Sequence, residues 1–148
     1  MYRRILVATD GSESANKAVG HAAALAKTTG AALTIVNVTQ FWSALDIAHA
    51  ADAGVPDPVG EYEAMAAKSA LRVLDSAIAI AKAAGMTAET LHVRDRAPAE
   101  GIVATAKDKG CDLIVTGTHG RRGLSRLLLG SQAAGVLASS DVPVLVVR

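Results

Sequence analysis

The chain has 148 residues, with 15 basic and 14 acidic side chains, a formal net charge of +1, and four aromatic residues, Tyr2, Phe41, Trp42 and Tyr62. This length suits one domain, residues 1–148. The balanced charge and the few aromatic side chains argue against a nucleic-acid partner, because such a surface needs a basic patch or a stacking platform.

Hydrophobic residues make up 51% of the chain, and alanine alone accounts for 31 residues. No apolar run approaches the roughly 18 residues needed to cross a membrane. The opening M-Y-R-R-I-L-V is a strand pattern without the apolar region of a secretory signal. Cys111 is the only cysteine, which excludes an internal disulfide and favours a reducing compartment. We therefore expect a cytoplasmic protein without a membrane segment.

Short apolar runs alternate with stretches of helical periodicity along the chain. In chain order the pattern predicts a strand over Arg4–Thr9, a helix from the Asp10-Gly11-Ser12 turn to Gly30, a strand over Leu33–Val38, a helix over Glu61–Ala84, a strand over Thr87–Val93, a helix from Pro98 to Gly110, a strand over Cys111–Thr116, a helix over Leu127–Ser139 and a strand over Val142–Val147. This order predicts an α/β fold, a three-layer αβα sandwich around an open five-stranded parallel sheet. Pro143 suits the start of an edge strand.

Residues 39–60 form a connection longer than the usual loop between a strand and a helix. Ser43 and Asp46 have the spacing of a capping box, which predicts a short helix after them. Asp52–Gly60, with two prolines and two glycines, is predicted as loop. The segment is either a lid beside a ligand site or a variable surface excursion, and the sequence leaves both open.

The segment 117–131, G-T-H-G-R-R-G-L-S-R-L-L-L-G-S, follows an apolar strand and leads into a helical pattern. Its glycines let backbone N–H groups approach an anion, and the start of the helix adds further donors. Arg121, Arg122 and Arg126 add positive charge. The spacing is neither a P-loop nor G-x-G-x-x-G. The segment nevertheless predicts a polyphosphate site.

This segment resembles the signature G-x2-G-x9-G-[S/T] of the ATP-binding universal stress proteins, and Gly117, Gly120, Gly130 and Ser131 match its four positions. The resemblance extends to R-I-L-V at residues 4–7, D-G-S at 10–12 and P-V-L-V-V at 143–147. It implies a Rossmann-like fold of the adenine nucleotide α-hydrolase-like group, with strand order 3-2-1-4-5. The ends of the first and fourth strands would then lie side by side, where doubly wound sheets bind ligands.

The resemblance also implies which residues bind ATP. The sequence shows no metal cage, so any Mg²⁺ would accompany ATP through the phosphates alone. Asp10 would accept hydrogen bonds from ribose or the adenine amino group, and the main chain near Val38 would contact adenine. Ser131 would donate to a phosphate. The complete candidate set is Ala8, Thr9, Asp10, Val38, Gly117, Thr118, His119, Gly120, Arg121, Arg122, Gly123, Gly130, Ser131, Gln132 and Ala133.

Structural roles compete with these assignments. Asp10 could cap the following helix, although Ser12 could do so equally. Gly117 and Gly120 could simply shape the turn after the strand, and Ser131 could be the N-cap of the following helix. Arg121 and Arg122 could be solvated loop charges. Many ATP-binding members have Pro where this chain has Ala8 and Val where it has Gln132, which bears on the tightness of binding. His21, His49 and His92 lack the spacing of a metal site.

The predicted function is that of a regulatory, stress-response protein whose ATP-bound state alters contacts with an unidentified partner. The alternative is a slow ATPase, or an enzyme that phosphorylates itself at Ser131. Fast phosphoryl transfer is disfavoured because no acidic pair is placed to hold Mg²⁺. A phosphoacceptor receiver domain is also disfavoured. Such a domain needs an acidic pair after the first strand, and this chain has only Asp10 there.

The uncharged strand Val142–Val147 predicts a homodimer through strand pairing, which the resemblance also implies.

Overall fold

The computed structural model describes residues 1–119 and 129–148 of the chain. Its elements, in chain order, are β1 (Arg4–Ala8), α1 (Glu13–Thr29), β2 (Ala32–Val38), α2 (Ala44–Asp52), α3 (Pro58–Ala83), β3 (Ala88–Val93), α4 (Pro98–Asp108), β4 (Leu113–Gly117), α5 (Ser131–Ser139) and β5 (Val144–Val147). Within these ranges no helix is both long and apolar enough to cross a membrane.

The five strands form one parallel sheet in the order β3-β2-β1-β4-β5. In β1, Ile5 and Val7 pack with α1 and α3 on one face, whereas Leu6 and Ala8 pack with α4 and α5 on the other. All four side chains are buried. This alternation follows from the two-residue period of a strand, and it produces a sheet covered on both sides. The predicted α/β sandwich and its strand order are confirmed.

The amino-terminal ends of β1 and β4 are joined by Asp112. Its carboxylate accepts hydrogen bonds from the N–H groups of Arg3 at 2.9 Å and Arg4 at 3.0 Å. Partial burial raises the pKa of Asp112, but the backbone hydrogen bonds from Arg4 and Arg3 and the charge of Arg3 outweigh it, so the pKa lies below its ordinary value. The bonds support the register in which Ile5 lies beside Leu113, and this register brings the carboxyl ends of the two strands together.

Two helices start at other residues than predicted. The third helix begins at Pro58 and not at Glu61, because Asp57 caps it by accepting from the Gly60 N–H at 3.1 Å, and Pro58 occupies the first helical position. The last helix was predicted from Leu127 but begins at Ser131, with Gly130 as its N-cap. Residues 127 and 128 lie outside the described ranges, and Leu129 precedes the helix. The Gly130 N–H donates to the Thr118 carbonyl, so the chain enters the helix from an extended residue.

The long connection after β2 is mostly helical. Ser43 caps α2 by accepting from the Asp46 N–H at 3.1 Å, as its spacing predicts. From residue 39 to residue 69 no side chain is buried, and we call this segment the arm. Inside the arm the rings of Trp42 and Tyr62 stack, with their centroids 4.9 Å apart. The Tyr62 hydroxyl donates a hydrogen bond to the Gln40 carbonyl.

The arm stands beyond the carboxyl ends of the strands. The buried positions of α3 begin at Ala70 and continue to Ala81, so only its second half covers the sheet. The 12 residues from Pro58 to Ser69 extend about 18 Å further at a rise of ~1.5 Å per residue. Because α3 connects two parallel strands, it runs opposite to them, and its first half lies at their carboxyl edge. The segment predicted as either lid or surface excursion thus lies at the edge of the sheet where ligands bind.

The base of the arm is attached to β3. The Thr39 N–H donates to the Val93 carbonyl at 2.9 Å, and Thr39 Oγ1 lies 2.9 Å from His92 Nε2. Burial lowers the pKa of His92, the charge of Arg94 lowers it further, and Asp95 opposes both. The contact between Thr39 and the His92 imidazole therefore holds the first residue of the arm against the neighbouring strand.

Candidate functional site

The candidate site lies where the carboxyl ends of β1 and β4 adjoin. Helix α1 leaves β1 toward one face of the sheet, and α5 follows β4 on the other face. The two chain segments therefore diverge and leave a crevice between them, as doubly wound sheets do where the strand order reverses. Three segments meet here: Thr9–Ser12, Gly117–His119 and Gly130–Ala133.

The loop after β1 is fixed by hydrogen bonds to its own residues and to β2. Buried Thr9 donates its N–H to the Val36 carbonyl and accepts at its own carbonyl from the Asn37 side chain. Asp10 Oδ1 accepts from the Ser12 N–H at 2.9 Å, and Ser12 Oγ accepts from the Ala15 N–H at 3.2 Å. The cap of α1 is therefore Ser12. Asp10 shapes the loop at the crevice and keeps its carboxylate half-buried there.

The end of β4 presses directly on α1. A Cβ added to Gly117 would lie 2.8 Å from the Ser14 carbonyl carbon and 2.9 Å from its oxygen, so only glycine fits. Ser14 Oγ also accepts from the His119 N–H at 3.5 Å, and Ser12 Oγ donates to the His119 carbonyl at the same distance. The first turn of α1 and the segment after β4 are thereby joined across the crevice.

His119 carries a nitrogen that the described residues leave without a partner. Its Nδ1 lies 2.8 Å from Thr118 Oγ1, whereas its Nε2 is buried and has no hydrogen bond within residues 1–119 and 129–148. A buried polar atom without a partner is unfavourable by about 1–3 kcal/mol, so a ligand or water that reached it would be stabilising. Within the same ranges, no three side chains of the metal-binding types are grouped to hold a metal ion.

The start of α5 is tied to the end of β4 by Gly130. Its N–H donates to the Thr118 carbonyl at 2.7 Å, and a Cβ added to it would lie 2.7 Å from that oxygen. The first N–H groups of an α-helix have no partner inside the helix, and the helix dipole favours negative charge there. Gly130 has no side chain to cap them, and the first turn carries no acidic residue. This end of α5 is thus equipped to bind an anion.

Helix α4 supports both sides of the site. A Cβ added to Gly101 would lie 2.8 Å from Val38 Cγ1, so α4 packs closely on the end of β2. A Cβ added to Gly135 would lie 2.9 Å from Ala99 Cβ, so α4 packs equally closely on α5. In addition, Gln132 Oε1 accepts from the Ala99 N–H at 3.2 Å. The Gln132 side chain thus contacts α4, which the sequence did not predict.

Most of the predicted site residues are brought together. Ala8, Thr9 and Asp10 lie at the carboxyl end of β1. Gly117, Thr118 and His119 lie beside them at the end of β4. Residues 130–133 form the start of α5. Val38 ends β2, the strand next to β1. Ala8 and Ala133 have buried side chains, so only their main chains could meet a ligand. Gly120, Arg121, Arg122 and Gly123 lie outside the described residues.

Three residues that contribute to the geometry of the site were not predicted from the sequence: Ser14, Asn37 and Ala99. A polar Asn37 inside an apolar strand was a signal available in the sequence. Ser14 and Ala99 carry no such signal, because each acts through a neighbour distant in the chain.

The sheet order, the crevice at the strand-order reversal and the helix that begins at a glycine define a doubly wound α/β protein. The model of the universal stress protein family matches residues 1–148. The chain therefore belongs to the universal stress protein family.

Individual relatives agree with this assignment. The universal stress protein YxiE of Bacillus subtilis is 36% identical over 149 residues, which cover 100% of both chains. The solved structure of the hypothetical protein MJ0577 has a TM-score of 0.80 and 28% identity, and the match covers 99% of this chain and 96% of that one. A universal stress protein solved in complex with cAMP has a TM-score of 0.70 and 30% identity, over 99% and 97% of the two chains.

Proposed function

We propose that this chain, as one domain over residues 1–148, is an ATP-binding regulatory protein of its family. Occupancy of the crevice by ATP would alter its contacts with a partner. The observation that carries the proposal is the start of α5. The N–H groups from Ser131 onward have no side-chain cap there, and the Gly130 N–H is bonded to the Thr118 carbonyl at the end of β4. The cAMP bound by the 30% identical relative supports an adenine nucleotide as the ligand.

The proposed pose places the phosphates at the start of α5 and the adenosine toward β1 and β2. The N–H groups of Ser131 and Gln132, with the exposed Ser131 hydroxyl, would donate to the phosphates. The half-buried Asp10 carboxylate would accept from ribose or the adenine amino group, and the main chain near Val38 would contact the base. From the sequence, Arg121 or Arg122 would pair with a phosphate, and Mg²⁺ would be held through the phosphate oxygens.

We expect nucleotide-free protein to bind ATP more tightly than GTP or NAD, measured by isothermal titration calorimetry. Guanine carries a carbonyl oxygen where adenine carries the amino group that Asp10 would accept. Protein purified without added ligand should also release an adenine nucleotide on denaturation. Equal affinity for ATP and GTP, or no affinity for either, would contradict the proposal.

The same protein serves to test the enzymatic alternative, slow ATP hydrolysis or self-phosphorylation at Ser131. Two groups of the described site could move a proton: the Asp10 carboxylate and His119, whose Nε2 has no hydrogen-bond partner among the described residues. Within the hydrogen bonds of the described residues, no carboxylate orients the imidazole, whose Nδ1 lies beside Thr118 Oγ1. We therefore propose a regulatory role with at most slow turnover. A kcat near the enzyme median of about 10 s⁻¹ would favour the enzyme instead.

We also propose that the protein is a homodimer through residues Val142–Val147. Strand β5 lies at an edge of the sheet, so its outer backbone groups are open to pairing. Leu145 is 38% exposed, whereas Val144 packs on the protein's own core. A charge at Val144 would therefore disturb the fold, and Leu145 is the better position for a test.

Leu145→Lys is expected to convert the dimer to a monomer, because it places charge at the centre of the paired strands. Sedimentation equilibrium at micromolar concentration distinguishes a 15.1 kDa monomer from a species of twice that mass. The control is Leu71→Lys on α3, where the leucine is 62% exposed and the helix packs on β2 and β3, on the other side of the sheet from β5. A wild-type protein that sediments as a monomer would refute the dimer.

A further inference from the structure

Helix α4 begins without a cap from its own sequence. Its N-cap residue is Ala97, which has no side chain to accept a hydrogen bond, and Pro98 at the first helical position has no N–H. The first N–H group that needs a partner is that of Ala99. Its partner comes from another helix, because Gln132 Oε1 accepts this hydrogen bond at 3.2 Å.

The contact is reinforced one turn further along α5. Gln132 and Gly135 are three residues apart, so they lie on the same face of the helix. Gly135 packs so closely on Ala99 that a Cβ there would lie 2.9 Å from the Ala99 Cβ. Gln132 and Gly135 of α5 therefore both contact Ala99, Gln132 through a hydrogen bond and Gly135 through close packing.

We propose that Gln132 is a positioning residue: its side-chain amide, by bonding the Ala99 N–H of α4, fixes the direction in which the first turn of α5 presents its N–H groups to a polyphosphate. This proposal rests on the proposed function. The Oε1 of Gln132 is engaged at α4, which leaves its backbone N–H and its Nε2 amide as the donors that Gln132 could offer a ligand. A rotation of α5 would move the N–H groups of Ser131 and Gln132 away from the phosphates but leave the adenosine side of the crevice unchanged.

The test compares ATP with adenosine, which lacks the phosphates. Gln132→Leu removes the acceptor at nearly constant size. We expect its ATP affinity to fall about fivefold, the factor that corresponds to loss of a typical helix cap, and its adenosine affinity to stay within about twofold of wild type. Both affinities are measured by calorimetry on nucleotide-free protein.

A second variant separates positioning from simple stabilisation of α4. Ala97 has the extended backbone of an N-cap residue, so Ala97→Ser would give α4 a cap of its own. In the double variant Ala97→Ser/Gln132→Leu, thermal stability should recover while ATP affinity remains low, because the hydrogen bond from α4 that positions α5 is still missing. Ala97→Ser alone should bind ATP as the wild type does.

Three outcomes overturn the proposal. Gln132→Leu could bind ATP as tightly as wild type, it could lose ATP and adenosine affinity equally, or the double variant could recover full ATP affinity. In each case wild-type protein still binds ATP, so the proposed function stands and only the positioning role falls. If wild-type protein binds no ATP, the proposed function itself is refuted and the positioning role is refuted with it.

Discussion

Gly130→Val is expected to abolish measurable ATP binding while the protein remains folded. Gly130 has φ −61°, which any residue adopts, so the substitution introduces no backbone strain. Its effect is steric, because a Cβ would lie 2.7 Å from the Thr118 carbonyl oxygen and 3.4 Å from His119 Cα. To relieve the contact, the start of α5 must move away from the end of β4. The N–H groups proposed to bind phosphate move with it.

The loss should be at least on the order of 100-fold, since two hydrogen bonds to charged groups contribute roughly 1.5–3 kcal/mol each. Gly130→Ala should give a smaller loss in the same direction. The measurement is ATP calorimetry, together with a thermal melt that shows a cooperative transition. The control is Gly20→Ala in α1, where a Cβ would lie 3.9 Å from Ile80 Cγ2, an ordinary contact. Unchanged ATP affinity in Gly130→Val would refute phosphate binding at this helix.

Gly117→Ala should destabilise the protein more than any single change at the surface. The added Cβ meets the backbone carbon and oxygen of Ser14 at 2.8 and 2.9 Å, and backbone cannot rotate aside as a side chain does. Helix α1 cannot retreat either, because Ala18, Val19 and Ala22 are fully buried against the sheet. Overpacking of this kind lowers the free energy of unfolding by about 2–3 kcal/mol.

For a chain of this size, that loss corresponds to a melting temperature lower by roughly 6–10 °C, which calorimetry or circular dichroism would detect. Gly20→Ala is again the matched control, and it should change stability in the opposite direction. Its Cβ makes only an ordinary contact with Ile80 Cγ2, and the substitution gains up to about 1 kcal/mol in helix propensity. If the two alanine variants melted at the same temperature, the close approach of β4 to α1 would be wrong.

Much of the fold was predictable because its signals are local. Gly30, predicted to stop the first helix, is its C-cap with φ 71°, and Pro98 occupies the first turn of α4 as expected. The start of α3 was predicted at Glu61, three residues too late, because the nearby glycines and prolines were interpreted as loop. Asp57 and Pro58 are nevertheless helix-start signals that the sequence contains. The strand order came from the family resemblance and not from periodicity, which does not reveal which strands are neighbours.

The sequence predicts which segments form the site, but not the contacts that hold those segments together. The glycines and Asp10 stand out in the sequence, and the sheet brings their segments to one crevice. The contacts that set its geometry are not visible in the sequence, because they join residues far apart in the chain. Gln132 and Ala99 are 33 positions apart, and His119 and Ser14 are 105 apart. Nothing near Gln132 in the sequence indicates that its amide caps another helix.

The arm has a consequence for how the chain tolerates change. Because residues 39–69 bury no side chain, opening this segment exposes little new apolar surface, and its local unfolding should require far less free energy than that of the sheet. Among the described residues, proteases should cut this segment before they cut the sheet, and the five strands would keep their pairing after the cut. Gly54, exposed with φ 86° in the turn between α2 and α3, is accordingly a position where an inserted domain or a new chain terminus would leave the pairing of the sheet intact.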